Sequence, residues 1–341
     1  MNPALFLNSH TPFALVPVVA FLATLIALDS FKLVRLRLIM GLVFVGAVTA
    51  GASYLVNTAV YEHFSGSLVQ FSRYVSPFIE ESLKSVMLVL LIRFRRVGLL
   101  VDAAITGFAV GTGFALVENL YYLAARSEAV FLIQLIRGFG TAIMHGGATA
   151  TFAFVAIAVQ ERHPRIGFMM FVPALLAAAM LHSAFNHLLV QPLLATLSMV
   201  VLLPAFFVLL FRASERALRD WMESGLDAKL TMLRTIRSGG FLDTAAGHYL
   251  AALHDRFSGE TLADMLCYLR LHSELALHAQ GILMLRETGW EEPPIDQKTR
   301  EKLIELRHIE RSIGRTALLA LHPLLISIGK DQWQLTLLGK T

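Results

Sequence analysis

The sequence predicts an all-α fold: a polytopic membrane helix bundle of about seven spans, its N-terminus outside, followed by a cytoplasmic helical domain. Three observations predict it. The 341 residues are 56% hydrophobic and only 16% charged, where soluble domains carry about 25% charged residues. Apolar runs of about 20 residues recur, the length that crosses a bilayer. The basic residues gather in alternate short loops, as the positive-inside rule requires. That placement also excludes nucleic acid as the reason for a pI near 9.3, because no basic face is built. The single cysteine, Cys267, cannot form an intramolecular disulfide, and no Cys/His spacing marks a structural zinc site.

The spans run in order at 12–31, 38–60, 76–93, 99–124, 131–159, 167–190 and 193–211. The first lacks a basic leader and a small-residue cleavage site, and so reads as a retained span. Lys32, Arg35 and Arg37 follow the first span, and Arg93, Arg95 and Arg96 the third. Arg162 and Arg165 follow the fifth, and Arg212, Arg216 and Arg219 the seventh. The remaining loops are basic chiefly at Arg73 and Arg126. Residues 1–211 therefore form the membrane domain. Residues 212–341 mix charge and apolar periodicity, with "WEEPP" at 290–294 separating helices, and read as a cytoplasmic all-helical domain. The run from Ala317 to Ile328 is too short to span and is broken by Pro323.

Strongly polar residues inside the spans are expensive and usually functional. They are Glu80, Glu81 and Lys84 in the third span, Glu118 and Asn119 in the fourth, Arg137, His145 and Thr149 in the fifth, and His182, Asn186 and His187 in the sixth. Residues four apart share a helix face, which pairs Glu80 with Lys84, Phe114 with Glu118, His145 with Thr149 and His182 with Asn186. At 1.5 Å per residue, Glu81, His145, His182 and Glu118 lie about 18–27 Å from the cytoplasmic edge. In a core of about 30 Å all four fall in the outer half. Four successive helices thus offer polar faces to one centre, open toward the extracytoplasmic side.

Two neighbouring carboxylates in a low-dielectric site resist ionising together, which separates a proton-accepting group from a proton-donating one. Lys84 can hold one of them ionised. Histidine and asparagine donors on a facing helix suit the oxyanion of a tetrahedral intermediate. Peptide-bond hydrolysis by glutamate-activated water is a natural use of this set.

These residues also form ordered motifs: "EESLK" (80–84) as E-E-x-x-K, "FALVE" (114–118) as F-x-x-x-E, "HGGAT" (145–149) and "HSAFN" (182–186). The order resembles the PrsW family of intramembrane glutamic proteases, in a clan shared with type II CAAX prenyl proteases and Abi proteins. The resemblance covers about residues 70–190. It implies that Glu80 and Glu81 are the catalytic glutamate pair, that Glu118 is the second-motif acid, and that His145 and His182 are the later histidines, with Asn186 a candidate oxyanion donor. Lys84, Asn119, Arg137 and Thr149 would support them. It also implies a membrane-anchored protein substrate, such as an anti-sigma-factor-like regulator, cut on the extracytoplasmic side of the cell (inner) membrane.

Two other classes fit the same residues. A zinc-dependent hydrolase would use His145, His182, Glu81 and Glu118 as ligands from separate helices, though H-E-x-x-H is absent. The first reading needs no cofactor. A transporter or scaffold would use the acids and histidines for proton movement or binding. Gly107 and Gly111 form a G-x-x-x-G suited to close helix packing.

Overall fold

The computed structural model describes residues 11–29, 34–94, 96–125, 131–163, 167–188, 191–287, 290, 294–325, 335 and 338. Lys32, Arg95, Arg126 and Arg165, used above for orientation, lie outside these, as do residues 291–293 of the "WEEPP" segment and 326–328. No strand occurs among the described residues. The chain divides into two compact units, Met1–Ser214 and Glu215–Thr341.

In the first unit α1 is Thr11–Leu28, α2 Leu36–Tyr61 and α3 Ser76–Arg93. Helix α4 is Leu100–Ala125, α5 Ala142–Arg162, α6 Phe171–Leu188, and α7 begins at Pro192. Five helical stretches, Leu36–Tyr61, Leu100–Ala124, Phe131–Arg162, Gly167–His187 and Pro192–Arg237, are long and apolar enough to cross a membrane. The two remaining expected spans fall short for identifiable reasons. The apolar stretch of α1 is shorter than the rest, and α3 carries Glu80, Glu81, Lys84 and Arg93 within its 18 residues. The helix that carries the seventh expected span does not end near residue 211, because α7 continues to Arg237.

Helix α4 sits at the centre and is buried on nearly every face from Val101 to Ala115. Its small residues let its neighbours approach to backbone contact, as membrane helices require when apolar burial alone does not drive association. A Cβ at Gly107 would lie 2.6 Å from the Thr149 carbonyl oxygen of α5, and one at Gly111 would lie 2.6 Å from Gly146 Cα. Gly46 of α2 and Gly113 of α4 likewise face backbone carbonyls across the α2–α4 seam. The G-x-x-x-G therefore sets α4 against the stretch of α5 that carries His145 and Thr149.

Two helix entrances depart from α geometry. A π turn, Phe71–Val75, precedes α3 and follows the capped turn Leu68–Gln70, whose Ser67 hydroxyl accepts from the Gln70 amide. A second π turn, Arg137–Thr141, joins the short helix Phe131–Ile136 to α5. Single π turns inside helices often mark functional sites, and both of these border the polar cluster.

The second unit contains the end of α7, α8 (Ala245–Ala251), α9 (Gly259–Glu287) and α10 (Gln297–Leu321). Gly239, at φ 78°, takes the left-handed conformation that ends α7. Asp296 caps α10 by accepting from the Thr299 amide. Leu303, Leu306, Ile309, Ile313, Ala317 and Leu321 are buried at 3- and 4-residue spacing on either side of a kink at Gly314 (φ 74°) in α10. They pack with Met265, Leu269, Leu275 and Ile282 of α9 in a core of their own.

Candidate active site

The cluster has two layers. The inner layer is centred on Glu81 and Lys84, whose side chains are 1% and 0% exposed. Lys84 Nζ lies 2.8 Å from Glu81 Oε1 and 2.9 Å from His145 Nδ1. It also stands 3.8 Å over the Phe114 ring. Glu81 Oε1 accepts from His182 Nδ1 at 3.0 Å, and Oε2 accepts from the Thr149 hydroxyl at 3.1 Å. Both oxygens of Glu81 are therefore spent inside the protein. An ionised carboxylate is only an acceptor, so His182 carries a proton on Nδ1, and Nε2 is the nitrogen nearer Glu80.

The outer layer lines a cavity of about 430 Å³ bordered by Glu80, Glu118, His145, His182, Asn186 and Arg137, among others. Glu80 Oε1 accepts from the Ser76 hydroxyl at 2.7 Å and from Asn57 Nδ2 at 3.2 Å. Its Oε2 lies 4.0 Å from both His182 Nε2 and Lys84 Nζ. Across the cavity His145 Nε2 is 2.6 Å from Glu118 Oε2. Arg137 reaches Glu118 Oε1 at 3.4 Å and stacks 3.7 Å over the Tyr122 ring.

Glu80, Glu81, Glu118, His145, His182, Lys84 and Thr149 thus come together from four helices. Two expected members bond to neighbouring backbone. Asn119 Nδ2 donates to the carbonyls of Ala14 at 2.8 Å and Arg137 at 3.4 Å, holding α1 and the second π turn. Asn186 borders the cavity, but its amide donates to the Ser72 carbonyl at 2.8 Å. Adjacent in sequence, Glu80 and Glu81 differ in place: one faces the cavity and the other braces its wall.

That difference changes the metal-ligand set. Among the described residues, the acid and histidine atoms that converge within 4.8 Å belong to Glu80, His145 and His182. Glu81 is replaced by Glu80 because its oxygens point inward to Lys84, His182 and Thr149. Glu118 is not one of the three. The donor set suits a divalent cation: two imidazoles and a carboxylate, with the inner nitrogen of His182 fixed by Glu81 in the usual carboxylate–histidine–metal arrangement.

Several cavity residues escaped the sequence reading. Ser72, Ser76 and Glu80 recur every four residues, and Gln134, Arg137, Thr141 and His145 recur at helical spacing along the fifth span. All border the cavity, so extending the one-face rule to uncharged polar residues would have found them.

Fold and site together define a polytopic membrane protein with a buried acid–histidine cluster opening on a cavity. The chain belongs to the PrsW family: the family model described as PrsW family intramembrane metalloprotease matches residues 34–211. Membership makes it an intramembrane protease, whose substrates are membrane proteins in the lipid bilayer. No curated protein and no solved structure matches the chain.

Proposed function

We propose that the chain is an endopeptidase that cuts membrane-anchored proteins near the extracytoplasmic side, with Glu80 accepting the proton of the attacking water. The observation that carries this is the gap between Glu80 Oε2 and His182 Nε2, 4.0 Å wide and on the cavity wall. A water between them can donate to both acceptors at once. Ser76 and Asn57 fix the other oxygen of Glu80, while Glu81 fixes the His182 ring. Such positioning and proton transfer are worth about 10²–10⁴-fold in rate. Glu80 then passes the water's proton to the leaving amine, while His145 and Arg137 hold Glu118 on the facing wall of the cavity. The loop charges support an N-terminus outside and a C-terminal unit in the cytoplasm, and the family resemblance supports a cell (inner) membrane location. Substrates then include membrane-anchored regulators of the anti-sigma-factor kind.

A metal-assisted version is favoured by the convergence of Glu80, His145 and His182. A divalent cation held there would supply Lewis-acid polarisation of the scissile carbonyl and a more acidic attacking water. To hold the ion through Nε2, His145 would give up its hydrogen bond to Glu118 and carry its ring proton on Nδ1, where Lys84 would have to accept it as the neutral amine. Glu118 would then be free to accept the proton of the attacking water.

The test compares new protein N-termini in native membranes carrying wild-type protein or Glu80→Gln at equal abundance. Extracytoplasmic juxtamembrane cuts that fall at least about a hundredfold in the variant support the proposal, and matching profiles overturn it. Chelation followed by zinc addition then separates the two versions: only the metal-assisted one loses and regains those cuts.

A further inference from the structure

Within the cavity, one buried polar side chain has no role in the chemistry above. Gln134 is only 2% exposed, its covered Oε1 has no hydrogen-bond partner among the described residues, and the residue borders the cavity. Three residues on, Arg137 has a buried Nε that is likewise without a partner. Arg137 Nη2 lies 3.4 Å from Glu118 but outside hydrogen-bond geometry. An amide oxygen buried without a partner is costly, so an acceptor kept beside a cavity suits a ligand that carries a donor.

A substrate segment supplies one. Peptide hydrolysis needs the chain unwound at the scissile bond, which frees backbone N–H and C=O groups that a bilayer cannot satisfy. The enzyme must provide their partners. We propose that Gln134 and Arg137 form a backbone-binding subsite: Gln134 Oε1 accepts an N–H of the unwound substrate, and Arg137 Nε donates to a neighbouring carbonyl. Gln134, Arg137, Thr141 and His145 follow one another at helical spacing and border one cavity. A segment held by the first two therefore runs along that wall toward His145. Recognition of this kind reads the main chain, so the subsite selects an extended or broken helix whatever its side chains.

The inference rests on the protease reading, and the experiment separates their failures. Full-length enzyme in lipid vesicles is given a peptide spanning a cut that disappears with Glu80→Gln, together with analogues N-methylated at single backbone positions. Wild type should lose about tenfold in KM, with kcat within about twofold, when one particular N–H is methylated. Gln134→Leu should carry about the same tenfold loss on the plain peptide and show no further loss at that position. Gln134→Glu keeps an acceptor oxygen and should retain the wild-type pattern; Gln134→Met replaces the leucine variant if the latter does not accumulate. Equal methylation penalties in wild type and Gln134→Leu at every position overturn the subsite while leaving the protease reading intact. Absence of any cut dependent on Glu80 overturns both.

Discussion

Both units bury a histidine beside a lysine, and the two settings are opposites. In the membrane unit, His145 meets Lys84 on one nitrogen and Glu118 on the other, and His182 is held by Glu81. Both rings border a cavity of about 430 Å³. In the C-terminal unit, His272 is 2% exposed, and among the described residues no carboxylate pairs with its ring. It borders a void of only about 10 Å³ with Lys229 and Ser273, room for about one water. Burial, reinforced by the Lys229 charge, lowers its pKa to about 4. The proposed role of the membrane histidines needs what His272 lacks: acid partners that fix the tautomer, and open space on the nitrogen left over.

The largest effect should come from removing the charge at the back of the membrane site. Lys84→Met leaves Glu81 buried without its cation and should cost about 3–5 kcal/mol, seen as a much lower unfolding temperature in detergent and loss of cleavage. The double variant Glu81→Leu/Lys84→Met should recover much of that stability but no activity, since His182 Nδ1 loses its acceptor. Recovery of neither would mean that Phe114 and His145 packing, rather than charge, governs the inner layer.

The C-terminal histidine should respond to pH instead. Unfolded, its ring titrates near 6.5, while folded it titrates at about 4. Between those values the unfolded chain binds the extra proton, so stability falls as pH drops through the window and is level above it. The full change is about 3 kcal/mol, measurable as faster amide exchange in α9 of the full chain. His272→Gln should flatten that dependence, and an unchanged slope would assign it to another group.

A smaller effect is expected at Asn186. Its amide ties α6 to the π turn before α3 through the Ser72 carbonyl, and Asn186→Leu should cost about 1 kcal/mol. A modest rise in KM with the cut sites unchanged would mark it as a tie. A drop in kcat of a hundredfold or more would restore the oxyanion role that its spacing from His182 suggested.

Much of the fold was legible because its rules are local. The apolar runs that exceed bilayer length and the amphipathic stripe of α10 are visible in residue order. The polar faces were legible too, since a four-residue spacing puts His145 with Thr149 whatever surrounds them. The two π turns were not legible, because an extra residue in a helical turn is stabilised by what packs on it. Nor was the course of α7 through Arg216 and Arg219, where charge suggested a boundary and helix propensity continued.

By itself the sequence determined that acids, histidines and a lysine would meet inside a membrane helix bundle. Their cost in an apolar medium and their shared depth leave few other arrangements. Only the tertiary structure decided which of two adjacent glutamates faces the cavity. Neighbours on a helix point about 100° apart, so the choice between Glu80 and Glu81 depends on which face α5 and α6 cover. Here Thr149 and His182 close over Glu81, and Glu80 is left toward open space.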